Sequence, residues 1–113
     1  MASRKHHKYW VYIITNKPKG VLYIGVTSNL DQRMEMHIEG KGSYFTSKYK
    51  LKLLVYYEEF QYIKEAIYRE KQLKNWHRDW KINLIETVNP NWVYLWDPIN
   101  SNHIQKDPET SSG

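Results

Sequence analysis

Apolar and polar positions change period several times along this chain, and each change marks an element. Residues 9–15 (YWVYIIT) and 21–26 (VLYIGV) are short runs dense in β-branched and aromatic residues. The turn residues NKPKG lie between them, so the two runs predict a β-hairpin. Over residues 30–39 the period lengthens. Leu30, Met34, His37 and Ile38 recur at helical spacing, with Asn29 as N-cap, Gln32 three residues on and Gly40 at C′. Residues 41–50 (KGSYFTSKYK) have no period and predict a loop. Residues 51–57 (LKLLVYY) predict a third strand, residues 62–76 a helix, and residues 78–87 a second, shorter one. The order β-β-α-β-α-α describes a small α/β domain of the α+β kind. Its helices flank a three-stranded, largely antiparallel sheet.

Length and charge divide the chain. Its 113 residues suit one domain. Residues 1–87 hold 16 Lys+Arg against 9 Asp+Glu, a net of +7, whereas residues 88–113 hold one Lys against three acids, a net of −2. The change falls at the turn-forming Asn89-Pro90-Asn91. We therefore expect a domain over 1–87 and a loosely held, partly disordered tail over 88–113. Within the tail, Trp92, Val93, Tyr94, Leu95 and Trp96 form an apolar patch. It suits either docking on the chain's own domain or self-association and partner binding through 92–96.

The absence of cysteine excludes disulfides, thiolate nucleophiles, and zinc or iron–sulfur sites built on cysteine. No uncharged apolar run approaches the roughly 20 residues of a bilayer span, and the amino terminus lacks an apolar h-region, so no membrane partner and a cytoplasmic location are expected. A formal charge of +5 with 5 Trp, 10 Tyr and 2 Phe suits a nucleic-acid surface, where cations meet phosphates and rings stack on bases. It equally suits a small core filled with large rings.

Three groups of residues ask for more than a fold. Glu70 interrupts the apolar stripe Ile63, Ala66, Ile67, Leu73 and Trp76. Burying an unpaired carboxylate costs several kcal/mol (order of magnitude), so Glu70 should meet a cation or pair with Lys74 or Arg33. Arg33 and His37 share one helix face four residues apart. The plain alternative there is a snorkelling Arg beside a core-edge His, but a guanidinium at that edge also suits a phosphate. Tyr12 and Tyr23 would face each other across the hairpin if Thr15 pairs with Gly20 over a four-residue loop. Gly25 inside a strand implies a bulge or the close approach of another group. Together these residues make a parts list for metal-assisted phosphodiester hydrolysis. A carboxylate would hold a hard cation, a phenol would activate water, and a guanidinium would balance phosphate charge.

The motif order carries a resemblance. W-V-Y (10–12), ten residues, Y-I-G (23–25), then V-T-S-N-L-x-x-R-x-x-x-H, Gly40-Lys41-Gly42 and A-I-Y-R-E-K-Q-L-K-N-W (66–76) resemble the GIY-YIG nuclease family over roughly residues 8–87. The chain looks closest to that superfamily's small stand-alone bacterial proteins. These are similar to the nuclease domain of the DNA-repair (nucleotide-excision) incision subunit. The resemblance implies Tyr23 as general base or positioner of the attacking water and Tyr12 as its partner. It implies Arg33 on the developing phosphorane charge, His37 in proton transfer or phosphate contact, and Glu70 as the protein ligand of one Mg²⁺ (or Mn²⁺). Asn83, thirteen residues after Glu70, matches a family asparagine, and Gly25 and Asn83 are supporting candidates. Trp10 stands where the name-giving glycine would be, and Val26 where the repair nuclease has a lysine. Lys41, Lys48 and Lys50, with Lys74 and Arg78, are the candidates for phosphate contact. Two functions follow. One is a metal-dependent endonuclease acting on DNA; the other is a catalytically idle nucleic-acid-binding module for DNA or RNA with the same fold.

Overall fold

The computed structural model describes residues 7–104. Strands β1 (Tyr9–Thr15), β2 (Leu22–Thr27) and β3 (Leu53–Phe60) form an antiparallel sheet in the order β2-β1-β3. Helix α1 (Leu30–Ile38) lies against one face, and α3 (Ile63–Asn75) and α4 (Arg78–Val88) against the other. The fold is thus the small α+β domain its pattern predicts.

Strand alternation sorts the core into two clusters. Val11, Ile13 and Ile24 pack with Ala66, Leu73 and Ile85 of α3 and α4. Tyr12 and Ile14 pack with Leu30 and Met34 of α1. On β3 the alternation breaks. Ile13 pairs with Tyr56 but Ile14 with Leu54, so Val55 is an extra residue at a bulge. Val55 and Tyr56 therefore both join the α3 side, while Leu54 and Tyr57 join the α1 side.

The hairpin register differs from expectation. Thr15 pairs with Leu22, not Gly20, and residues 16–21 make the loop. Asn16 Oδ1 closes that loop by accepting from Val21 N at 2.9 Å, and Lys19 takes φ 57°. Tyr12 consequently pairs with Gly25, and Tyr23 with Ile14. The shift is two residues. Side chains keep their faces under a two-residue shift, so Tyr12 and Tyr23 remain on one face as diagonal neighbours.

The ends of α1 follow the sequence reading. Asn29 Oδ1 accepts from Gln32 N at 3.0 Å, and Gly40 just past the helix takes φ 78°. The 41–50 segment does not. It contains a short helix, α2 (Tyr44–Lys48), closed by a reciprocal box in which Ser43 Oγ accepts from Thr46 N and Thr46 Oγ1 from Ser43 N. A five-residue helix is too short to show periodicity, which is why the segment read as a loop. The stripe on α3 is also narrower than expected. Ala66 and Leu73 are buried, whereas Ile63 and Ile67 are 41% and 37% exposed.

Residues beyond α4 return to the sheet. The Asn89 amide donates to the carbonyls of Val55 and Val93, both at 2.9 Å. Leu95 N donates to Leu54 O at 2.8 Å. Trp92 and Leu95 point inward, one into each core cluster, while Val93 and Tyr94 stay at the surface. Two short strands, β4 (Trp96–Asp97) and β5 (Asn102–His103), form a second hairpin. His103 donates through both its backbone N–H and Nδ1 to Asp31 Oδ1, each at 2.7 Å, tying this hairpin to α1. Residues 105–113, the rest of the expected tail, lie outside the described residues. Among the described residues, no helix is long and apolar enough to cross a membrane.

Candidate active site

The sheet face toward α1 carries Tyr12 from β1 and Tyr23 and Gly25 from β2. Gly25 is here because Tyr12 lies directly across it. A Cβ at Gly25 would fall against Tyr12 Oη and within 2.5 Å of its Cζ. The group that approaches this strand glycine is therefore a neighbouring phenol. With the ring laid over Gly25, Tyr12 is fully buried and its centroid sits 6.5 Å from that of Tyr23.

Helix α1 brings His37 onto both rings, with centroids 5.7 Å from Tyr12 and 5.9 Å from Tyr23. Its Nε2 is 2.9 Å from Tyr12 Oη, and its Nδ1 is 3.2 Å from Thr46 Oγ1. Gly42 closes the other side, where a Cβ would meet the imidazole ring 2.5 Å from Cε1. Phe45 of α2 stacks on Tyr23 at 6.2 Å, and Tyr23 remains partly open to solvent.

Electrostatics separate the roles of these groups. Burial, the larger cause, raises the Tyr12 phenol well above its ordinary range, and Arg33 opposes the shift through its charge and hydrogen bonding. Tyr23 and Glu70 add to the rise, so the Glu70 charge is felt at Tyr12 even though Glu70 comes from the far side of the sheet. Burial, and then the Arg33 charge, lower His37 to about 4. At neutral pH the site is thus a neutral phenol on a neutral imidazole, with a guanidinium and a carboxylate close by.

Glu70 has a partner already. Lys74 Nζ lies 2.8 Å from its Oε2, one turn along α3, and the carboxylate side chain is only 15% exposed. This is one of the two ion pairs the sequence allowed. Arg33, partly buried on α1, instead acts on Tyr12 and His37.

The remaining candidates do not converge with this group. Lys48 sits over the rings of Tyr44 and Tyr49 at 5.8 and 5.5 Å, and Lys41 lies 3.7 Å from Glu39. Lys50 is exposed at φ 56°. Arg78 Nη2 donates to the carbonyls of Lys19 and Gly20 at 2.5 and 2.7 Å, which makes it a clamp on the hairpin loop. Asn83 is exposed on α4, where its carbonyl accepts from Thr87 Oγ1 at 2.8 Å. Among the described residues it joins no hydrogen bond of the tyrosine–histidine cluster. Sequence reasoning passed over Ser43, Thr46 and Phe45, and took Gly42 only as part of the Gly-Lys-Gly motif. The Ser-x-x-Thr spacing was the available signal, since a hydroxyl three residues after a Ser cap can close a box.

A fold of this topology with paired tyrosines, an Arg-x-x-x-His helix and a helical glutamate defines a class, and comparison agrees. A family model described as the GIY-YIG catalytic domain matches residues 8–83. The chain belongs to the GIY-YIG family, a nuclease superfamily. Among similar proteins, UPF0213 protein SH2523 of Staphylococcus haemolyticus is 38% identical over 79 residues, covering 70% of this chain and 95% of that protein. UPF0213 protein CPE1444 of Clostridium perfringens is 37% identical over 78 residues, covering 69% of this chain and 83% of its own length. The solution NMR structure of UPF0213 protein BH0048 from Bacillus halodurans superimposes with a TM-score of 0.50 at 29% identity, over 75% of this chain and 89% of that one.

Proposed function

We propose that this protein is a cytoplasmic, divalent-metal-dependent endonuclease that hydrolyses phosphodiester bonds in DNA. The observation that supports the reading best is the neutral Tyr12–His37 pair set between the partly exposed Tyr23, the Arg33 guanidinium and the field of Glu70. A buried, unionised phenol held on His37 suits a fixed acceptor in the water network, which leaves Tyr23, the phenol nearer solvent, as general base or positioner of the attacking water. Arg33 donates only and stays charged, so it suits charge accumulating on phosphate oxygens. Glu70 fits a single hard cation. Its carboxylate is mostly sheltered and offers the hard oxygen ligand such an ion takes. When bound, Mg²⁺ or Mn²⁺ would supply Lewis-acid charge to the phosphate. The exposed Lys41, Lys48 and Lys50 would hold the backbone by charge, so binding should weaken steeply with salt.

The second reading, an idle nucleic-acid-binding module, is favoured by one observation: Lys74 already neutralises Glu70. Nicking of supercoiled plasmid with Mg²⁺ or Mn²⁺ separates the two. Wild type should cut, and Glu70→Gln and Tyr23→Phe should lose roughly two or more orders of magnitude in rate while binding the plasmid equally well. Binding without any cutting by wild type establishes the idle module.

A further inference from the structure

Four hydroxyl and imidazole groups run inward from α2 to the centre of the site: Ser43, Thr46, His37 and Tyr12. The directions of their hydrogen bonds can be worked out by counting donors and acceptors. The Arg33 charge acts on Tyr12, and a guanidinium only donates, so it offers the phenol no acceptor. Tyr12 is fully buried, so its own O–H needs an acceptor, and His37 Nε2 at 2.9 Å is the partner in place. Nε2 must then be unprotonated, and a neutral imidazole carries its proton on the other nitrogen. His37 Nδ1–H accordingly donates to Thr46 Oγ1 at 3.2 Å.

Thr46 can take that role only because of its other neighbours. Its oxygen accepts from Ser43 N at 3.1 Å and has one lone pair left for His37. Its hydroxyl proton has Ser43 O at 3.3 Å and Ser43 Oγ at 3.0 Å as outlets. The reverse ladder, with Thr46 donating to Nδ1 and Nε2–H donating to Tyr12, takes away the acceptor that His37 gives the buried Tyr12 O–H. A buried donor without a partner is costly. The capping box of α2 therefore does more than start a helix. Gly42 adds steric definition, because any side chain there would push the imidazole out of line.

We infer that Thr46, held by Ser43, is a positioning residue that fixes His37 as the Nδ1–H tautomer, so that Tyr12 is a permanent donor to His37 and turns only accepting lone pairs toward its other neighbours. The kinetic part of this inference rests on the proposed nuclease function; the tautomer part does not.

The test is long-range ¹H–¹⁵N correlation of ¹⁵N-histidine-labelled full-length protein at pH 7. In wild type and in Thr46→Ser, His37 Nδ1 should be the protonated nitrogen. In Thr46→Val that preference should be lost, with the other histidines unchanged. A wild-type His37 protonated at Nε2, or Thr46→Val keeping Nδ1–H, overturns the inference. The wild-type spectrum decides the tautomer by itself, and Thr46→Ala, read in the same way, decides the role of Thr46 if Thr46→Val unfolds. Plasmid nicking supplies the second readout. The turnover rate of Thr46→Val should fall roughly tenfold to a hundredfold with unchanged DNA binding, and Thr46→Ser should be restored to near wild type. If wild type shows the Nδ1–H tautomer yet cuts nothing, the ladder stands and the nuclease reading falls.

Discussion

Replacing Gly25 by alanine tests the packing on which the site depends. The backbone offers no objection, since Gly40 is the glycine with positive φ and Gly25 lies in an extended strand. In open space an alanine in a strand interior would even gain about 0.5–1 kcal/mol over glycine. The obstacle is Tyr12. The new methyl would lie 2.5 Å from Cζ, where ordinary contact begins at 3.4 Å, so ring or strand must yield by about 0.9 Å. Overpacking of this kind costs about 1–3 kcal/mol. A retreating phenol also strains its 2.9 Å bond to His37, a buried bond worth about 1 kcal/mol. The net expectation is a loss of about 2–3 kcal/mol. A domain of this size should then melt roughly 10 °C lower. Urea unfolding of a four-member cycle isolates the cause. In a Tyr12→Leu background the atoms that clash are gone, so Gly25→Ala should be neutral or stabilising by about 0.5 kcal/mol. If the two substitutions add to within about 0.5 kcal/mol, the contact does not limit this position and the reasoning fails.

Three further outcomes are expected. His37 stays neutral in the fold down to about 4 but titrates near 6.5 when unfolded, so the unfolded chain binds the extra proton between those values. Stability should therefore fall as pH drops from 6.5 toward 4, by about 1–3 kcal/mol, and His37→Gln should flatten that stretch of the melting-temperature profile; parallel profiles would exclude it. Lys74→Gln removes the ammonium beside Glu70, so Mn²⁺ binding measured by calorimetry should tighten about threefold, a modest gain because Lys74 is half exposed. Unchanged or weaker binding would show that the ion pair does not compete with a cation. Asp31→Ala removes the acceptor for both His103 donors and should cost about 1–2 kcal/mol. It should also make residues 96–104 cut faster in limited proteolysis, and an unaltered cleavage rate would mean that the tie is not what holds the hairpin.

Some of this molecule is legible residue by residue. Asn29 caps α1 and Gly40 ends it, because capping is a local matter of one side chain and one dihedral. The two strands of the hairpin and the long helix α3 are likewise set by composition and period. That Tyr12 and Tyr23 share a face was also determined locally. Strand parity survives a two-residue error in register, so the expectation held for the wrong pairing.

What required tertiary structure is whatever depends on distances between elements. Periodicity leaves Glu70 either Lys74 on its own helix or Arg33 on α1, and packing decided between them, since Arg33 acts instead on Tyr12 and His37. The bulge at Val55 and the docking of Trp92 and Leu95 depend on how two packed faces share one sheet. The Ser43–Thr46–His37 ladder links segments that look unrelated in sequence, because a hydrogen bond reports proximity in space and no periodicity encodes it. The order of residues along the chain determined which chemical groups are present and which faces they share. Packing decided which of them touch, which are neutral and which are already paired, because burial and partner distance set both protonation and hydrogen-bond direction.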